Sequence, residues 1–385
     1  MALFQKKSEE MTLKEVSELL QELRIPTSLV FTPVNLDEEK KKFFDSDTYN
    51  PVFKYTGVKN DNEKIFKRLI SVKKITDVDP RISDFYLDLI ASKDQANDLI
   101  SAVGDNDLLT DISIKRFGLP TPKLFRNACR FLRGKTVHNY NLVQKKDDDE
   151  FLNYAEISAI FDKVFDILKL DEWEVAQSLN IAKNGVKVGI KRKQILVDKD
   201  IVRSKFKLKK TIVHEVGTHV LRAVNGLKSG VPALGNATTP DYLDVEEGLA
   251  TWNESNMGLL TENWMKRKVA LVYAIHIGKN MSFRELYDCL FGILSESGAF
   301  SVAYRVKRGL GDTSIPGIYA KDIAYFRGFK KVSAKLEKNP SLYNTLYSGK
   351  ITFEQCEWVE DGLIPKAKNI PTKEDWIKIF KEVGL

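Results

Sequence analysis

The chain has 385 residues, enough for one large domain or two ordinary ones, each with a hydrophobic core. Its 43% hydrophobic and 29% charged residues are typical of a soluble globular protein. The longest apolar run, Val269 to Gly278, is too short to cross a bilayer, so we expect no membrane partner. Residues 1–10 lack the apolar segment of a secretory signal, which favours a cytoplasmic protein.

The net charge is +7, and lysines are concentrated at residues 40–42 and at Lys205, Lys207, Lys209 and Lys210. A basic surface attracts nucleic acid, anionic lipid or an acidic polypeptide, although solvated lysines on helix faces explain any single cluster more simply. The sequence contains no nucleic-acid motif such as an RNP segment or a zinc finger. We therefore expect no nucleic-acid partner.

The three cysteines, Cys129, Cys289 and Cys356, are widely separated and show no CxxC spacing. This pattern predicts reduced thiols in a cytoplasmic protein, and it argues against disulfides or a thiolate zinc site. A bound metal would therefore be held by histidine and carboxylate side chains.

Helical patterns dominate residues 1–140, and the polar stretch from Gln144 to Glu150 is the best candidate for a domain boundary. We therefore predict a mostly helical N-terminal region, residues 1–143, that packs on a catalytic part, residues 144–385. An exposed loop inside a single domain would have the same composition.

The pattern then changes to a small sheet flanked by helices. The predicted elements are a helix at Phe151–Leu168, strands at Trp173–Leu179, Gly185–Ile190 and Gln194–Val197, and a helix at Lys205–Asn225. Residues 183–185 would form a turn between the first two strands, and Ser204 and Gly226 would begin and end the second helix. From Tyr242 on, helical patterns return. This order is the one expected of zincin-type metallopeptidases, so we predict a mostly α-helical α+β fold with a small β-sheet beside the second helix.

That second helix carries the hexapeptide His214-Glu-Val-Gly-Thr-His219, which contains two of the four histidines in the chain. The familiar zinc motif is HExxH, in which two histidines lie one turn apart on one helix face. Here the motif is HExxxH, and an i,i+5 pair in an ideal α-helix is rotated by about 140°. Chelation of one ion therefore requires a widened helix such as a π-bulge, which the permissive backbone of Gly217 would ease.

Glu215 directly follows the first histidine, where it can act as the general base on a zinc-activated water. A third ligand is expected from the segment Val245–Glu254, which offers Glu246, Glu247 and Glu254. The residues alone do not decide whether Glu246 or Glu247 is the third ligand. The alternative interpretation is a buried helix with two hydrogen-bonded histidines and a surface glutamate.

An HExxxH motif followed by Glu246-Glu-Gly-Leu-Ala250 resembles the microtubule-associated tyrosine carboxypeptidase family and its bacterial relatives, which carry a QEGLA-type motif. Thr32–Lys40, His219–Gly226 and Arg305–Leu310 are also similar to the family, and the resemblance covers roughly residues 25–350.

The resemblance implies a site and an activity. In the family pattern the glutamate directly before Gly-Leu-Ala is constant, which implies Glu247 as the third zinc ligand beside His214 and His219, with Glu246 behind it. The resemblance also implies a mostly helical zincin-like fold and removal of a single C-terminal aromatic residue. In animal members the substrate is the acidic tail of α-tubulin ending in tyrosine, but nothing in this sequence points to tubulin.

A carboxypeptidase needs a group that binds the terminal carboxylate and one that stabilises the oxyanion. Arg305 and Arg308 are candidates for the carboxylate because an i,i+3 pair can share one helix face. A structural ion pair is the commoner fate of such arginines. Tyr325 is a candidate oxyanion donor, although most tyrosines simply pack.

The sequence therefore predicts a zinc carboxypeptidase that removes a C-terminal Tyr or Phe from an acidic peptide or protein tail. The alternatives are a zinc endopeptidase of other specificity and a non-catalytic binding protein that retains the fold. The complete set of His214, Glu215, His219 and Glu247 argues against the binding protein, since decayed enzymes usually lose a ligand or the base. Zinc suits two histidines and one glutamate best.

Overall fold

The computed structural model of the chain describes residues 9–57, 61–134, 142–143, 150–178, 184–236, 240–368 and 370–385. Within them the chain is predominantly helical with small sheets, which confirms the prediction of a mostly helical α+β protein. The α-helices are α1 (Leu13–Glu22), α2 (Thr27–Val30), α3 (Leu36–Phe44), α4 (Glu63–Ser71), α5 (Pro80–Ser101), α6 (Asn106–Phe117), α7 (Pro122–Leu132), α8 (Tyr154–Leu168), α9 (Lys205–Thr211), α10 (Leu221–Leu227), α11 (Pro240–Asn256), α12 (Glu262–Ile277), α13 (Phe283–Phe291), α14 (Glu296–Lys307), α15 (Ile323–Lys338), α16 (Leu342–Leu346), α17 (Cys356–Glu360) and α18 (Lys373–Glu382).

The strands form three short sheets among the described residues. They are β1 (Glu9–Thr12), β2 (Val72–Thr76), β3 (Phe151–Leu152), β4 (Glu174–Ser178), β5 (Val186–Gly189), β6 (Gln194–Asp198) and β7 (Arg203–Ser204). β1 and β2 are parallel, β3 and β7 are antiparallel, and the third sheet has the order β4-β6-β5.

The chain divides into two compact units, each assembled from separate stretches. The first takes Met1–Val137, Thr238–Pro240 and Lys266–Phe326, and the second takes His138–Ala237, Asp241–Met265 and Arg327–Leu385. The division predicted from the sequence, residues 1–143 and 144–385, was continuous. It therefore did not anticipate that Lys266–Phe326 belongs to the first unit.

Long-range contacts explain why that stretch belongs with the N-terminal residues. The side chain of Arg284 on α13 donates a 2.7 Å hydrogen bond to the carbonyl of Phe43. Thr313 Oγ1 donates to the carbonyl of Pro51 at 2.6 Å. A polar stretch marks a local break in composition, whereas contacts between residues this far apart in sequence leave no local pattern.

The core of the first unit contains an aromatic cluster around Phe43, which is fully buried. Its ring packs edge-on against Phe283, Tyr287 and Phe300, with centroid distances of 5.1, 4.8 and 5.3 Å. Aromatic pairs in this geometry stabilise the core beyond the area that they bury. The cluster joins α3 to α13 and α14.

In the second unit, the sheet confirms the three predicted strands but not the hairpin between the first two. β6 lies in the middle, parallel to β4 and antiparallel to β5, with Ile195 and Val197 fully buried. The tight turn joins β5 to β6 at Ile190–Arg192 and ends at Lys193, whose φ of 53° is left-handed. Lys183, in the predicted turn, lies outside the described residues. A turn signal shows where a chain bends, whereas packing selects the partner strand.

Helix α8 begins later than predicted. Phe151 and Leu152 form β3, and the helix starts at Tyr154 because Asn153 caps it. Asn153 Oδ1 accepts the Glu156 N–H at 3.2 Å, and the Glu156 side chain accepts the Asn153 N–H at 2.8 Å. This capping box satisfies backbone groups at the helix start that would otherwise lack partners.

The motif-bearing helix is continuous from Lys205 to Leu227 and consists of α9, the π-helical segment Ile212–Val220 and α10. Ser204 is its N-cap, as predicted, because its hydroxyl accepts the Lys207 N–H at 3.4 Å. Gly226 does not end the helix: it lies within α10, where a Cβ would stand 1.9 Å from the carbonyl oxygen of Leu234. Close packing, and not helix termination, therefore requires glycine there.

Among the described residues, no helix combines the length and the apolar character that crossing a bilayer requires.

Candidate metal centre

The histidine-bearing segment is wound as a π-helix from Ile212 to Val220, which confirms the predicted widening. An α-helix would point residues at i and i+5 in different directions, but i→i+5 hydrogen bonding returns them to the same face. The rings of His214 and His219 accordingly lie 4.9 Å apart, centroid to centroid, with their planes at 83°.

Buried side chains hold the π-helical turn. Thr218 Oγ1 donates to the carbonyl of Val213 at 3.2 Å, and Tyr347 OH donates to the carbonyl of Gly217 at 2.7 Å. The Asn253 amide donates to Thr218 Oγ1 at 2.8 Å and to Tyr347 OH at 2.9 Å. These polar partners supply hydrogen bonds that a widened helix loses internally. Asn253 and Tyr347 were not predicted from the sequence, because neither carries a local signal.

Gly217 serves packing rather than backbone freedom, which corrects the reason given from the sequence. Its φ is not in the left-handed region, so the conformation is open to other residues. A Cβ at this position would instead stand 2.8 Å from ring carbon Cζ2 of Trp376, on α18. The absent side chain lets the indole lie directly against the π-helical segment.

Gly217→Ala is expected to destabilise the protein by about 1–3 kcal/mol, because the added methyl overlaps a buried ring. The measurement is urea unfolding of the mutant and the wild type. Gly292→Ala is the matched control, since a Cβ there meets nothing within 4 Å. Equal unfolding midpoints for Gly217→Ala and Gly292→Ala would contradict the packing role of Gly217.

Each motif histidine is held through its Nδ1 atom. His214 Nδ1 lies 2.8 Å from Glu254 Oε1, and His219 Nδ1 lies 2.6 Å from Glu246 Oε1. A carboxylate can only accept, so each Nδ1–H donates, and Nε2 is the nitrogen of each ring that remains to bind a metal. This is the tautomer in which an imidazole binds a metal through Nε2, with the carboxylate fixing the ring.

The third donor of the group is Glu247. His214, His219 and Glu247 each offer a ligand atom within 4.8 Å of the other two, and no other such group occurs in the described part of the chain. His214 Nε2 and Glu247 Oε2 are 3.6 Å apart. Ligands about 2.0–2.1 Å from a tetrahedral zinc are about 3.4 Å from one another, so the spacing suits that ion. Glu246 and Glu254 instead contact the outer nitrogens of the histidines.

Negative charge is concentrated around His214. Burial by itself would lower the pKa of His214, but its hydrogen bonds to Glu247 and Glu254 outweigh burial and raise the pKa well above the usual value. The charge of half-buried Glu215 acts in the same direction. Three carboxylates around one ring form a site whose charge a divalent cation would neutralise.

Glu246 is the centre of a buried charge network behind His219. Its carboxylate forms ion pairs with Arg222, which is 0% exposed, and with Lys350, which is 4% exposed. Burial would raise the pKa of Glu246, but the charges of Lys350 and Arg222 outweigh burial and hold the pKa well below its usual range. Arg222 Nε also donates to the carbonyl of Leu346 at 2.9 Å, and Lys350 Nζ donates to Tyr242 OH at 2.7 Å.

Glu254, which contacts the outer nitrogen of His214, forms an ion pair with Lys210. Lys210 Nζ lies 3.3 Å from Glu254 Oε2 and 3.6 Å from the ring centroid of Trp264. Burial lowers the pKa of Lys210 to about 8, although the charge of Glu254 opposes that shift. Within this lysine cluster, Lys205 pairs with Glu150 at 2.8 Å, so two of the four lysines contact carboxylates of the same unit.

A comparison with known families identifies the family. The sequence model described as "Microtubule-associated tyrosine carboxypeptidase" matches residues 41–378, most of the chain. The chain belongs to this family.

Curated relatives with the same description occur in mammals. "Microtubule-associated tyrosine carboxypeptidase 1" of Mus musculus is 25% identical over 332 residues, which cover 84% of this chain and 60% of the relative. The Rattus norvegicus protein is 30% identical over 163 residues, 40% of this chain and 34% of the relative. The Homo sapiens protein is 32% identical over 124 residues, 31% of this chain and 26% of the relative. These matches span 60% or less of each relative.

The candidates for binding the terminal carboxylate and the oxyanion, Arg305, Arg308 and Tyr325, lie in the first unit, whereas the metal donors lie in the second. Arg305 Nε is 2.5 Å from Asp322 Oδ2, and Arg308 Nη2 is 3.1 Å from Asp322 Oδ1. Burial would raise the pKa of Asp322, but the charges of the two arginines outweigh burial and lower it. Both arginines thus form a structural ion pair with one buried carboxylate.

Tyr325 packs between cations of the first unit. Lys268 Nζ lies 3.3 Å from its ring centroid, and the Arg305 guanidinium lies 5.2 Å from it. These contacts do not test whether Tyr325 stabilises the oxyanion or whether Arg305 and Arg308 bind the terminal carboxylate. Both roles stay predictions.

Proposed function

We propose that this chain is a zinc carboxypeptidase that removes a C-terminal Tyr or Phe from an acidic peptide or protein tail. The observation that carries the proposal is the convergence of His214, His219 and Glu247, with ligand atoms within 4.8 Å, beside Glu215. Membership of a family named for tyrosine carboxypeptidases supports this reaction class.

The donor set suits zinc, because two imidazole nitrogens and one carboxylate are a common set in catalytic zinc sites. His214, His219 and Glu247 would hold the ion, with Glu254 and Glu246 fixing the two rings through Nδ1. When bound, zinc would supply Lewis-acid polarisation of the scissile carbonyl and make water more acidic.

Glu215 is the general base of the proposed reaction. Its carboxylate accepts a proton from the attacking water and passes it to the nitrogen of the leaving tyrosine. Water adds to the scissile carbonyl, the C–N bond breaks, and the products are free tyrosine and a shortened chain with a new carboxylate. No covalent enzyme intermediate is formed.

The proposed substrate is an acidic C-terminus, which the net charge of +7 would attract by electrostatic steering. The names of the relatives support tyrosine as the residue removed. Cys129, Cys289 and Cys356 are free thiols, in keeping with a reducing cytoplasm as the proposed location. A zinc endopeptidase is the second candidate, because Arg305 and Arg308 are both paired with Asp322.

The test combines metal content with product analysis on the wild type and Glu247→Ala. We expect about one zinc per wild-type chain by elemental analysis, with release of tyrosine from a short acidic peptide ending in Tyr. Glu247→Ala should lose both, because two histidines alone bind zinc weakly. Asp241→Asn, which changes an exposed carboxylate on the same helix, is the matched control and should keep both.

The outcomes separate the candidates. Zinc together with internal cleavage of the peptide would favour the endopeptidase. Absence of zinc from a wild type purified without chelators would overturn the proposal.

A further inference from the structure

Arg203 occupies a distinctive position in the second unit. It lies in β7, immediately before the helix that carries the histidines. One of its terminal nitrogens donates to the hydroxyl of Thr211, and the other donates to the carbonyl of Asn184. Both partners are neutral, and they use two of the five N–H groups of the guanidinium.

In the described part of the chain, the charge of Arg203 has no close counter-ion. Among the described residues no carboxylate lies within 4.0 Å of its guanidinium, whereas Arg222, Arg305 and Arg308 each have one. Burial lowers the pKa of Arg203, and the charge of Glu215 partly opposes that shift. A half-buried guanidinium between neutral partners has further N–H groups that can donate to an anion.

The hydrogen bond to Thr211 positions the Arg203 guanidinium relative to Glu215, the proposed base. Thr211 directly precedes the π-helical segment and lies four residues before Glu215, so the two residues are about one helical turn apart. The guanidinium that binds Thr211 therefore lies near the turn that carries Glu215, whose charge acts on it.

A carboxypeptidase requires a cation near its general base. The terminal carboxylate of its substrate lies one residue beyond the scissile carbonyl, and one extended residue spans about 3.3–3.6 Å. A cation one helical turn from the base is within reach of that carboxylate. Arginine is suited to it because its remaining N–H groups can donate two parallel hydrogen bonds.

We propose that Arg203 binds the C-terminal carboxylate of the substrate. The proposal rests on the proposed carboxypeptidase function and names the group that makes it an exopeptidase. It also replaces Arg305 and Arg308 in that role, because those side chains are paired with Asp322.

The test compares a short acidic peptide ending in Tyr with the same peptide ending in tyrosine amide. The readout is the ratio of kcat/KM for the acid to kcat/KM for the amide. We expect the wild type to prefer the acid strongly, and Arg203→Gln to reduce this ratio by about 10- to 100-fold, as loss of a charged hydrogen-bonding pair implies. Arg305→Gln and Arg308→Gln are the matched controls and should keep the wild-type ratio.

Zinc content and thermal unfolding of Arg203→Gln distinguish substrate binding from folding. A structural role would slow cleavage of both peptides equally, and an unchanged ratio would overturn the proposal. So would loss of the preference in Arg305→Gln or Arg308→Gln instead. If Arg203→Gln does not fold, Arg203→Lys decides, since it keeps the charge and should lower the ratio by losing the two-pronged contact.

Failure of the proposed function would look different. A wild type that holds zinc but cleaves the last peptide bond of neither peptide would overturn the carboxypeptidase assignment, and the role of Arg203 with it. Release of tyrosine with an unchanged ratio in Arg203→Gln would overturn the role of Arg203 alone.

Discussion

Glu215→Gln is expected to slow tyrosine release from an acidic peptide by about 10²- to 10⁴-fold, the usual contribution of a general base. Glutamine keeps the size of the side chain but cannot accept the proton of the attacking water. Zinc content should stay unchanged, because Glu215 is outside the group of three donors. The measurements are kcat on a short acidic peptide ending in Tyr and elemental analysis of the same sample.

The matched control for Glu215→Gln is Glu337→Gln, an exposed position on α15, which should keep full activity. A loss below about tenfold in Glu215→Gln would assign the proton transfer to another group. Loss of zinc together with activity would mean that Glu215 holds the metal site and would leave its role as a base unsupported.

Glu246→Ala is expected to lower the free energy of unfolding by about 3–5 kcal/mol, the cost of breaking a buried ion pair from one side. Arg222 is 0% exposed and Lys350 is 4% exposed. The substitution removes the carboxylate with which both of these buried cations form ion pairs. It also removes the acceptor for His219 Nδ1. The free energy of unfolding is measured by urea titration of the metal-free proteins.

Glu337→Ala is the control for Glu246→Ala and should stay within about 0.5 kcal/mol of the wild type, as exposed substitutions do. A change below about 1 kcal/mol in Glu246→Ala would show that water or rearrangement compensates the two cations. An equally large loss of stability in both variants would contradict the buried network as its cause.

The two histidines are supported in the same way. His214 donates to Glu254, which is paired with Lys210, and His219 donates to Glu246, which is paired with Lys350. Each cation pairs with a carboxylate, and each carboxylate accepts the hydrogen bond that keeps a proton on the outer nitrogen of the imidazole. The inner nitrogens are thereby available as metal ligands.

Only some of the fold was predictable from the sequence. The helix start at Ser204 and the strand β6 follow from capping and alternation, which act over a few residues. The order β4-β6-β5 and the place of Lys266–Phe326 in the first unit were not predicted. Which strand or helix becomes a neighbour depends on the packing of the folded chain, and short-range patterns do not record it.

For the candidate site, the sequence by itself determined the two histidines, the adjacent glutamate and the widened helix. Spacing along a helix dictates which side chains share a face, so the pair at i and i+5 required the π-helical turn. Glu247 was singled out by resemblance to the family, since two neighbouring glutamates look alike to local reasoning.

The tertiary structure alone decided what surrounds these residues. Tyr347 is 130 residues from Gly217 and Lys350 is 104 from Glu246, yet both make hydrogen bonds at the site. The same holds for Arg305 and Arg308, which proved to be paired with Asp322. The fold decides which groups come within about 3 Å of a side chain and so become its partners. Hydrogen bonds and ion pairs follow no sequence periodicity, so these partners cannot be predicted from the local sequence.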